Sequence, residues 1–137
     1  MNKKNIYRII DANLNRAREG IRVTEEVARL YLNDKKLTQR LKSLRHKIDQ
    51  IAQKDFDSRQ LILYRDSQHD VGAFGMGKLE GKREGTRGIV QANLRRSQEA
   101  LRVLEEFGKL ISLTAACSFK KIRFALYSLE KDILNSL

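Results

Sequence analysis

Two asparagine–arginine pairs occur at the same spacing in this sequence and could bind an anion. Asn13 and Arg16 lie in ANLNRAREGIRVTEEV, and Asn93 and Arg96 lie in ANLRRSQEALRVLEEF, which begins eighty residues later. A guanidinium group offers paired N–H donors to phosphate oxygens, and an amide can orient either a ligand or a neighbouring arginine. The repeated pairs therefore predict a site for an anionic small molecule.

A structural role is the alternative for the same four residues. On a helical wheel of about 100° per residue, Arg16 lies about 60° from Asn13, and both fall on the apolar face. A buried amide or guanidinium without partners would be strongly destabilising. The pairs could therefore bond to each other, to Glu19 or Glu99, and to backbone carbonyls, or they could line a cleft open to a ligand.

The stretch RDSQHDVG offers a second group of candidate residues. Asp66 and Asp70 are close enough in sequence to hold one Mg²⁺ through carboxylate oxygens, and Arg65 could neutralise a phosphate. Aspartates also cap helices and form turns, so a structural role is the alternative. The following GMGKLEGKREG combines glycines with Lys78, Lys82 and Arg83, which suits an anion cradle, a mobile lid or a tether.

The elements that position these residues are predicted to be helices. Apolar residues recur at helical spacing over residues 5–32, 36–56 and 87–111, and a last helix follows a cap at Thr114 or Ser118. Asn33 and Asp34 provide a stop and the next N-cap. The glycine-rich segment from Gly72 to Gly88 excludes a continuous regular element.

The repetition predicts the architecture. Ten of the nineteen positions from residue 12 to 30 are identical to those eighty residues on, and LKSLRHKIDQI aligns with FKKIRFALYSL, which matches Arg45 to Arg123. We therefore expect an all-α fold of two duplicated helical hairpins, four main helices in all, packed about a pseudo-twofold axis. The single domain spans residues 1–137, with repeats at about 5–56 and 89–136 and an irregular connection at 57–88.

Composition narrows the functional classes. The net charge of +11 is spread along the chain, without a basic arm, zinc-ligand spacing or aromatic strand platform that would favour DNA or RNA. No apolar run approaches the roughly 20 residues of a membrane helix. With one cysteine and no signal-peptide pattern, we expect a cytoplasmic protein without a membrane partner.

Four stretches together resemble a known family. RIIDANLNRAREGIRVTEEVARL, LRHKID, RDSQHDVG and QANLRRSQEALRVLEEFGKL are similar to the small helical, monofunctional hydroxymethylpyrimidine phosphate kinases of thiamin biosynthesis. In that family the domain occurs alone or fused ahead of thiamine phosphate synthase. Because no synthase segment follows here, we expect the stand-alone form.

The resemblance implies a reaction and its participants. The expected enzyme transfers the γ-phosphoryl group of ATP, with Mg²⁺, to 4-amino-5-hydroxymethyl-2-methylpyrimidine phosphate. Because the attacking phosphate oxygen is already anionic near pH 7, such a reaction needs charge neutralisation rather than a strong base.

The candidate residues lie in motifs that match the family, and we infer a role for each of them. The expected catalytic residues are Arg16, Arg96 and Asp66. The expected substrate-binding residues are Asn13, Asn93, Arg45, Arg65 and Gly72. The expected Mg²⁺ ligands are Asp66 and Asp70.

Two other functions fit the same residues. A noncatalytic binder of a phosphorylated thiamin precursor or nucleotide would use the same cleft without turnover. A basic helical adaptor for nucleic acid or protein would instead bind with steep salt dependence. The sequence leaves open whether a homodimer completes the site.

Overall fold

The protein, described by a computed structural model over residues 1–73 and 81–137, is all-helical in those ranges. Its helices are α1 (Lys3–Glu26), α2 (Lys35–Asp55), α3 (Ser58–Leu63), α4 (Gly85–Gly108) and α5 (Leu113–Asn135). A π-helical turn, Val27–Tyr31, continues α1. The all-α class and the four long helices are confirmed. Among the described residues, no helix is long and apolar enough to span a bilayer.

Helix boundaries follow the predicted stop and cap between the first two long helices. Asn33 has a φ of 53°, in the left-handed region that Asn tolerates better than most residues. The carboxylate of Asp34 then accepts a hydrogen bond from the Leu37 amide at 2.9 Å. The predicted cap of the last helix is wrong, because extended Ser112, not Thr114 or Ser118, accepts from the Ala115 amide at 3.1 Å.

The connection is more regular than the sequence analysis expects. Asp57 caps α3 by accepting from the Arg59 amide at 3.0 Å, and Leu61 is buried against the core. The six residues of α3 are too few to display a helical period, so the sequence analysis wrongly assigned them to an irregular segment. The predicted cradle of glycines and Lys78 lies partly outside the described residues.

The core is formed by apolar side chains, most of them aliphatic, from all four long helices. Its largest fully buried members are Phe119, Ile10, Leu14, Ile21, Leu41, Ile48, Leu94, Leu101, Leu104, Leu126, Leu129 and Ile133. Helix α1 packs most extensively against α4, and α5 packs on α4 as α2 packs on α1.

Helices α1 and α4 approach closely at Gly20. A Cβ atom there would meet the Ser97 hydroxyl and come within 2.5 Å of the Asn93 carbonyl oxygen. The Ser97 hydroxyl donates to the Ala17 carbonyl at 2.9 Å, so this contact is both tight and hydrogen-bonded. The two helices that contain the repeated motifs are thus fixed against each other.

Corresponding positions of the two repeats make corresponding contacts. Arg45 of α2 pairs with Glu25 of α1 at 2.8 Å, and Arg123 of α5 pairs with Glu105 of α4 at 3.0 Å. Each carboxylate is buried, and each arginine joins the two long helices of its own repeat. These matched ion pairs support the duplication hypothesis, while the pseudo-twofold axis stays a prediction.

Candidate anion-binding cleft

An open cleft of about 550 Å³ lies between α1 and α4 and contains both repeated arginines. We call it the first cleft. Its described lining residues are Asn13, Arg16, Asp70, Gly72, Ala73, Arg96, Glu99, Ala100 and Val103. Five of the site residues predicted from the sequence therefore lie together, namely Asn13, Arg16, Asp70, Gly72 and Arg96. The volume is within the usual range of small-molecule sites, about 300–1,000 Å³.

Arg16 and Arg96 are the residues of the first cleft that are best suited to an anion. Both are exposed, and neither has a hydrogen bond or ion pair within residues 1–73 and 81–137. The expected burial on the apolar face is therefore wrong for both arginines. Arg16 lies at the margin of the apolar stripe beside Val23, itself 37% exposed. The structural network with Glu19 or Glu99 is not formed, so both guanidinium groups can bind a ligand.

The two asparagines use their amide groups in the same way. The Nδ2 atom of Asn13 donates to the Ile9 carbonyl at 2.8 Å, and that of Asn93 donates to the Ile89 carbonyl at 2.9 Å. These bonds fix both side chains against their own helices. Asn13 is a lining residue of the first cleft, and its Oδ1 atom, which accepts no hydrogen bond within the described residues, is left as an acceptor for a ligand N–H.

Asp70 and Asp66, which lie on either side of a turn, make different contacts. Asp70 lines the first cleft, and one of its oxygens accepts from the Gly72 amide at 2.9 Å. Asp66 instead contacts the His69 ring at 2.8 Å, and this hydrogen bond lowers the pKa of Asp66 below its ordinary value. Asp66 is not among the described residues that line the first cleft.

The described residues contain no group of three or more histidine, cysteine, aspartate or glutamate side chains that could hold a metal ion. A protein-built metal cage is therefore not present in residues 1–73 and 81–137. Mg²⁺ commonly binds through one or two carboxylates together with ligand phosphates and water. Asp70 and Glu99 are the carboxylates of the first cleft that fit such an ion.

Arg65 makes a bidentate ion pair with Asp11 rather than lining the first cleft. Its Nε and one terminal nitrogen each lie 2.7 Å from an Asp11 oxygen, and this hydrogen bonding raises the pKa of Arg65. The Arg8 side chain also donates to the Asp66 carbonyl at 3.4 Å. These contacts attach the start of the connection to α1, and so place Asp70 and Gly72 at the first cleft.

Arg45 is likewise engaged away from the first cleft. It donates from two nitrogens to Glu25, at 2.8 and 3.3 Å, and that hydrogen bonding raises the pKa of Arg45. Phosphate contacts are predicted from the sequence for Arg45 and Arg65, whereas no role is predicted for Asp11. Asp11 could have been noticed because it is a carboxylate next to the repeated motif whose counterpart in the second repeat is Gln91.

A more apolar groove of about 390 Å³ lies elsewhere, between α2 and α5. Its charged lining residues are Lys47, Lys54, Asp55 and Lys121. None of the repeated asparagines or arginines is among its lining residues. This groove is the alternative site at which an anionic ligand could bind.

The fold and the first cleft define a class of protein: a small helical domain whose repeated arginines lie in one open cleft. The chain belongs to the ThiD2 family, whose family model matches residues 8–132. No solved structure matches the chain significantly.

Curated relatives extend beyond the region they share with this chain. Thiamine-phosphate synthase of Synechocystis sp. is 43% identical over 131 residues, which make up 96% of this chain and 37% of that protein. The synthase of Rhodopirellula baltica is 39% identical over 95% of this chain and 34% of its own length. That of Nostoc punctiforme is 38% identical over 94% and 35%. The chain thus spans about a third of the length of these relatives.

The comparisons correct the activity expected from the sequence. The predicted reaction was ATP-dependent phosphorylation of the hydroxymethylpyrimidine phosphate by a stand-alone kinase. The relatives that match nearly the whole chain are instead named thiamine-phosphate synthase, so the kinase assignment is wrong.

Proposed function

We propose that the chain acts in thiamin biosynthesis, and that its first cleft binds a phosphorylated pyrimidine intermediate. The pathway is supported by the names of the relatives, which are enzymes that make thiamine phosphate. The ligand class is supported chiefly by one observation. Arg16 and Arg96, the repeated arginines, lie in one cleft and have no partner within the described residues.

Electrostatics favour a ligand that is anionic at one end and donates hydrogen bonds at the other. Arg16 and Arg96 supply two positive charges for a phosphate, since guanidinium–phosphate bonds are short and often bidentate. Asp70 and Glu99 supply two carboxylates, which accept from N–H groups. An aminopyrimidine with a phosphate meets both requirements, because its amino group donates and its phosphate accepts.

Mg²⁺ is part of the same proposal. Where Mg²⁺ rather than a ligand N–H group is bound, Asp70 and Glu99 would hold it, and it would supply further positive charge for the ligand phosphate. ATP, which the resemblance implies, stays a predicted ligand, and titration of the protein with ATP and with Mg²⁺–ATP checks it.

Calorimetric titration with the phosphorylated aminopyrimidine and with its unphosphorylated alcohol tests the ligand assignment. We expect the phosphate ester to bind and the alcohol to bind much more weakly. Arg16→Ala should weaken binding of the phosphate ester by about 1.5–3 kcal/mol, the usual worth of a charged hydrogen bond.

Arg29→Ala is the matched control. Arg29 is exposed on the π-helical turn, so its substitution removes the same charge at a position outside the first cleft. We expect this variant to bind as the unmodified protein does. Equal losses in the two variants would mean that only the overall positive charge attracts the ligand, and the proposed site would be wrong.

A growth experiment tests the pathway separately. Deletion of the gene should create a requirement for thiamin that the unmodified chain relieves and Arg16→Ala relieves poorly. Growth of the deletion strain without thiamin, in the absence of a second gene for the step, would contradict a role in thiamin biosynthesis.

A further inference from the structure

A second open cleft, of about 470 Å³, adjoins the first cleft. We call it the second cleft. Its lining residues are Glu19, Gly20, Val23, Arg83, Ala92, Asn93, Arg95, Arg96 and Glu99. It shares Arg96 and Glu99 with the first cleft, so the two clefts are neighbours on the α1–α4 pair.

The two clefts are built from corresponding residues of the repeats. Asn13 and Arg16 of the first cleft correspond to Asn93 and Arg96 of the second at the eighty-residue offset. Helix α4 contributes Glu99, Ala100 and Val103 to the first cleft. Their counterparts in the second cleft, contributed by α1, are Glu19, Gly20 and Val23. Each cleft thus joins the asparagine–arginine pair of one repeat to the glutamate and valine of the other.

The second cleft is the more positive of the two. Three arginines, at positions 83, 95 and 96, face two glutamates there, whereas the first cleft has two arginines and two carboxylates. Arg95 is exposed and has no hydrogen bond or ion pair in the described part of the chain. Its counterpart in the first repeat is Asn15, so this cation is specific to the second cleft.

From this correspondence we propose that the second cleft is a second binding site, for a phosphate- or diphosphate-bearing small molecule, occupied together with the first. This proposal rests on the proposed function only in taking the first cleft as a phosphate site. Arg96 lies between the sites and contacts either anion. The shared guanidinium offsets the repulsion that two neighbouring anions would otherwise experience.

Site-resolved NMR with inorganic pyrophosphate tests the proposal, because the arginine Nε–Hε resonances report on each cleft separately. We expect the Arg16 and Arg95 resonances to titrate with different midpoints, and Arg96 to respond to both events. Arg95→Ala should weaken the second event at least about tenfold, as expected for loss of one charged hydrogen bond, and leave the Arg16 titration in place. Arg16→Ala should do the reverse.

Arg29→Ala again controls for the loss of one positive charge. The proposal is overturned if the Arg95 resonance does not titrate with pyrophosphate, or if Arg95→Ala behaves like Arg29→Ala. If Arg16→Ala changes no titration midpoint while Arg95→Ala abolishes the titration of the second cleft, the second site stands and the ligand assignment of the first cleft fails.

Discussion

At the scale of single residues, the arginines of this chain have two distinct roles. Arg45 and Arg65 each donate from two nitrogens to one buried carboxylate, which fixes their positions. Arg16 and Arg96 have no partner among the described residues and face the first cleft. Engaged arginines hold the scaffold, and the unengaged ones are available to a ligand.

Replacing Arg45 should therefore destabilise the fold far more than replacing Arg22, although both contact Glu25. Arg45 lies 2.8 Å from Glu25 and its side chain is 19% exposed, whereas Arg22 lies 3.5 Å away and is 49% exposed. Arg45→Ala leaves a buried carboxylate without its main partner, which costs about 3 kcal/mol. Arg22→Ala removes surface pairs worth at most about 0.5 kcal/mol each.

Urea unfolding followed by circular dichroism measures both changes. The double variant Glu25→Gln with Arg45→Met should recover part of the loss, because it removes the uncompensated charge. Similar free energies of unfolding for Arg45→Ala and Arg22→Ala would show that the Glu25–Arg45 pair does not stabilise the fold.

At the scale of elements, the close contact between α1 and α4 determines where the clefts form. Gly20 allows this approach, and the Ser97 hydroxyl bonds to the Ala17 carbonyl across it. Since Gly20 also lines the second cleft, the spacing of the two helices affects packing and ligand binding together.

Gly20→Ala should destabilise the protein, although alanine is the better helix former by about 1 kcal/mol. The new methyl group would lie about 2.5 Å from the Asn93 carbonyl oxygen, a backbone atom that cannot move away without shifting α4. Overpacking of this kind typically costs about 1–3 kcal/mol, and here the contact is severe enough to outweigh the propensity gain.

Gly88→Ala in α4 is the matched control. A Cβ atom there meets nothing closer than Glu84 Cβ at 3.6 Å, so the substitution should raise the free energy of unfolding by about 0.5–1 kcal/mol. Thermal unfolding of both variants gives the comparison. A more stable Gly20→Ala protein would show that the helices are not held as closely as described.

The start of the connection is held by the Arg65–Asp11 pair. Arg65→Ala should speed amide exchange over residues 66–73 and weaken ligand binding in the first cleft, although Arg65 does not line it. Arg65→Lys keeps the charge but loses the bidentate geometry, so it should give an intermediate effect. Exchange mass spectrometry and calorimetry together test this, and unchanged affinity despite faster exchange would exclude a positioning role.

The sequence predicts the helices better than it predicts which charged side chains form ion pairs. Helical periodicity identifies the four long helices, and Asn33 and Asp34 mark a boundary because their local chemistry is sufficient to form it. By contrast, Arg16 and Arg65 are both arginines near candidate acidic residues, and only the folded chain determines which one reaches a carboxylate. Arg16 is exposed because it lies at the edge of the packed apolar face of α1, and a helical wheel does not show where that edge falls.

At the scale of the whole molecule, two helical hairpins bring two copies of one motif to a shared surface. The net charge of +11 is distributed, yet Arg16 and Arg96, which have no partner within residues 1–73 and 81–137, lie in clefts between α1 and α4. This location, rather than total charge, is the basis for proposing a phosphorylated small molecule as the ligand. Dimerisation stays a prediction, to be checked by sedimentation.

A crystal structure of the chain with the phosphorylated aminopyrimidine tests the central claim most directly. We predict that the phosphate lies within about 2.7–3.0 Å of guanidinium nitrogens of both Arg16 and Arg96, as charge-assisted hydrogen bonds require. A phosphate bound instead beside Lys47 and Lys121, in the groove between α2 and α5, would contradict it.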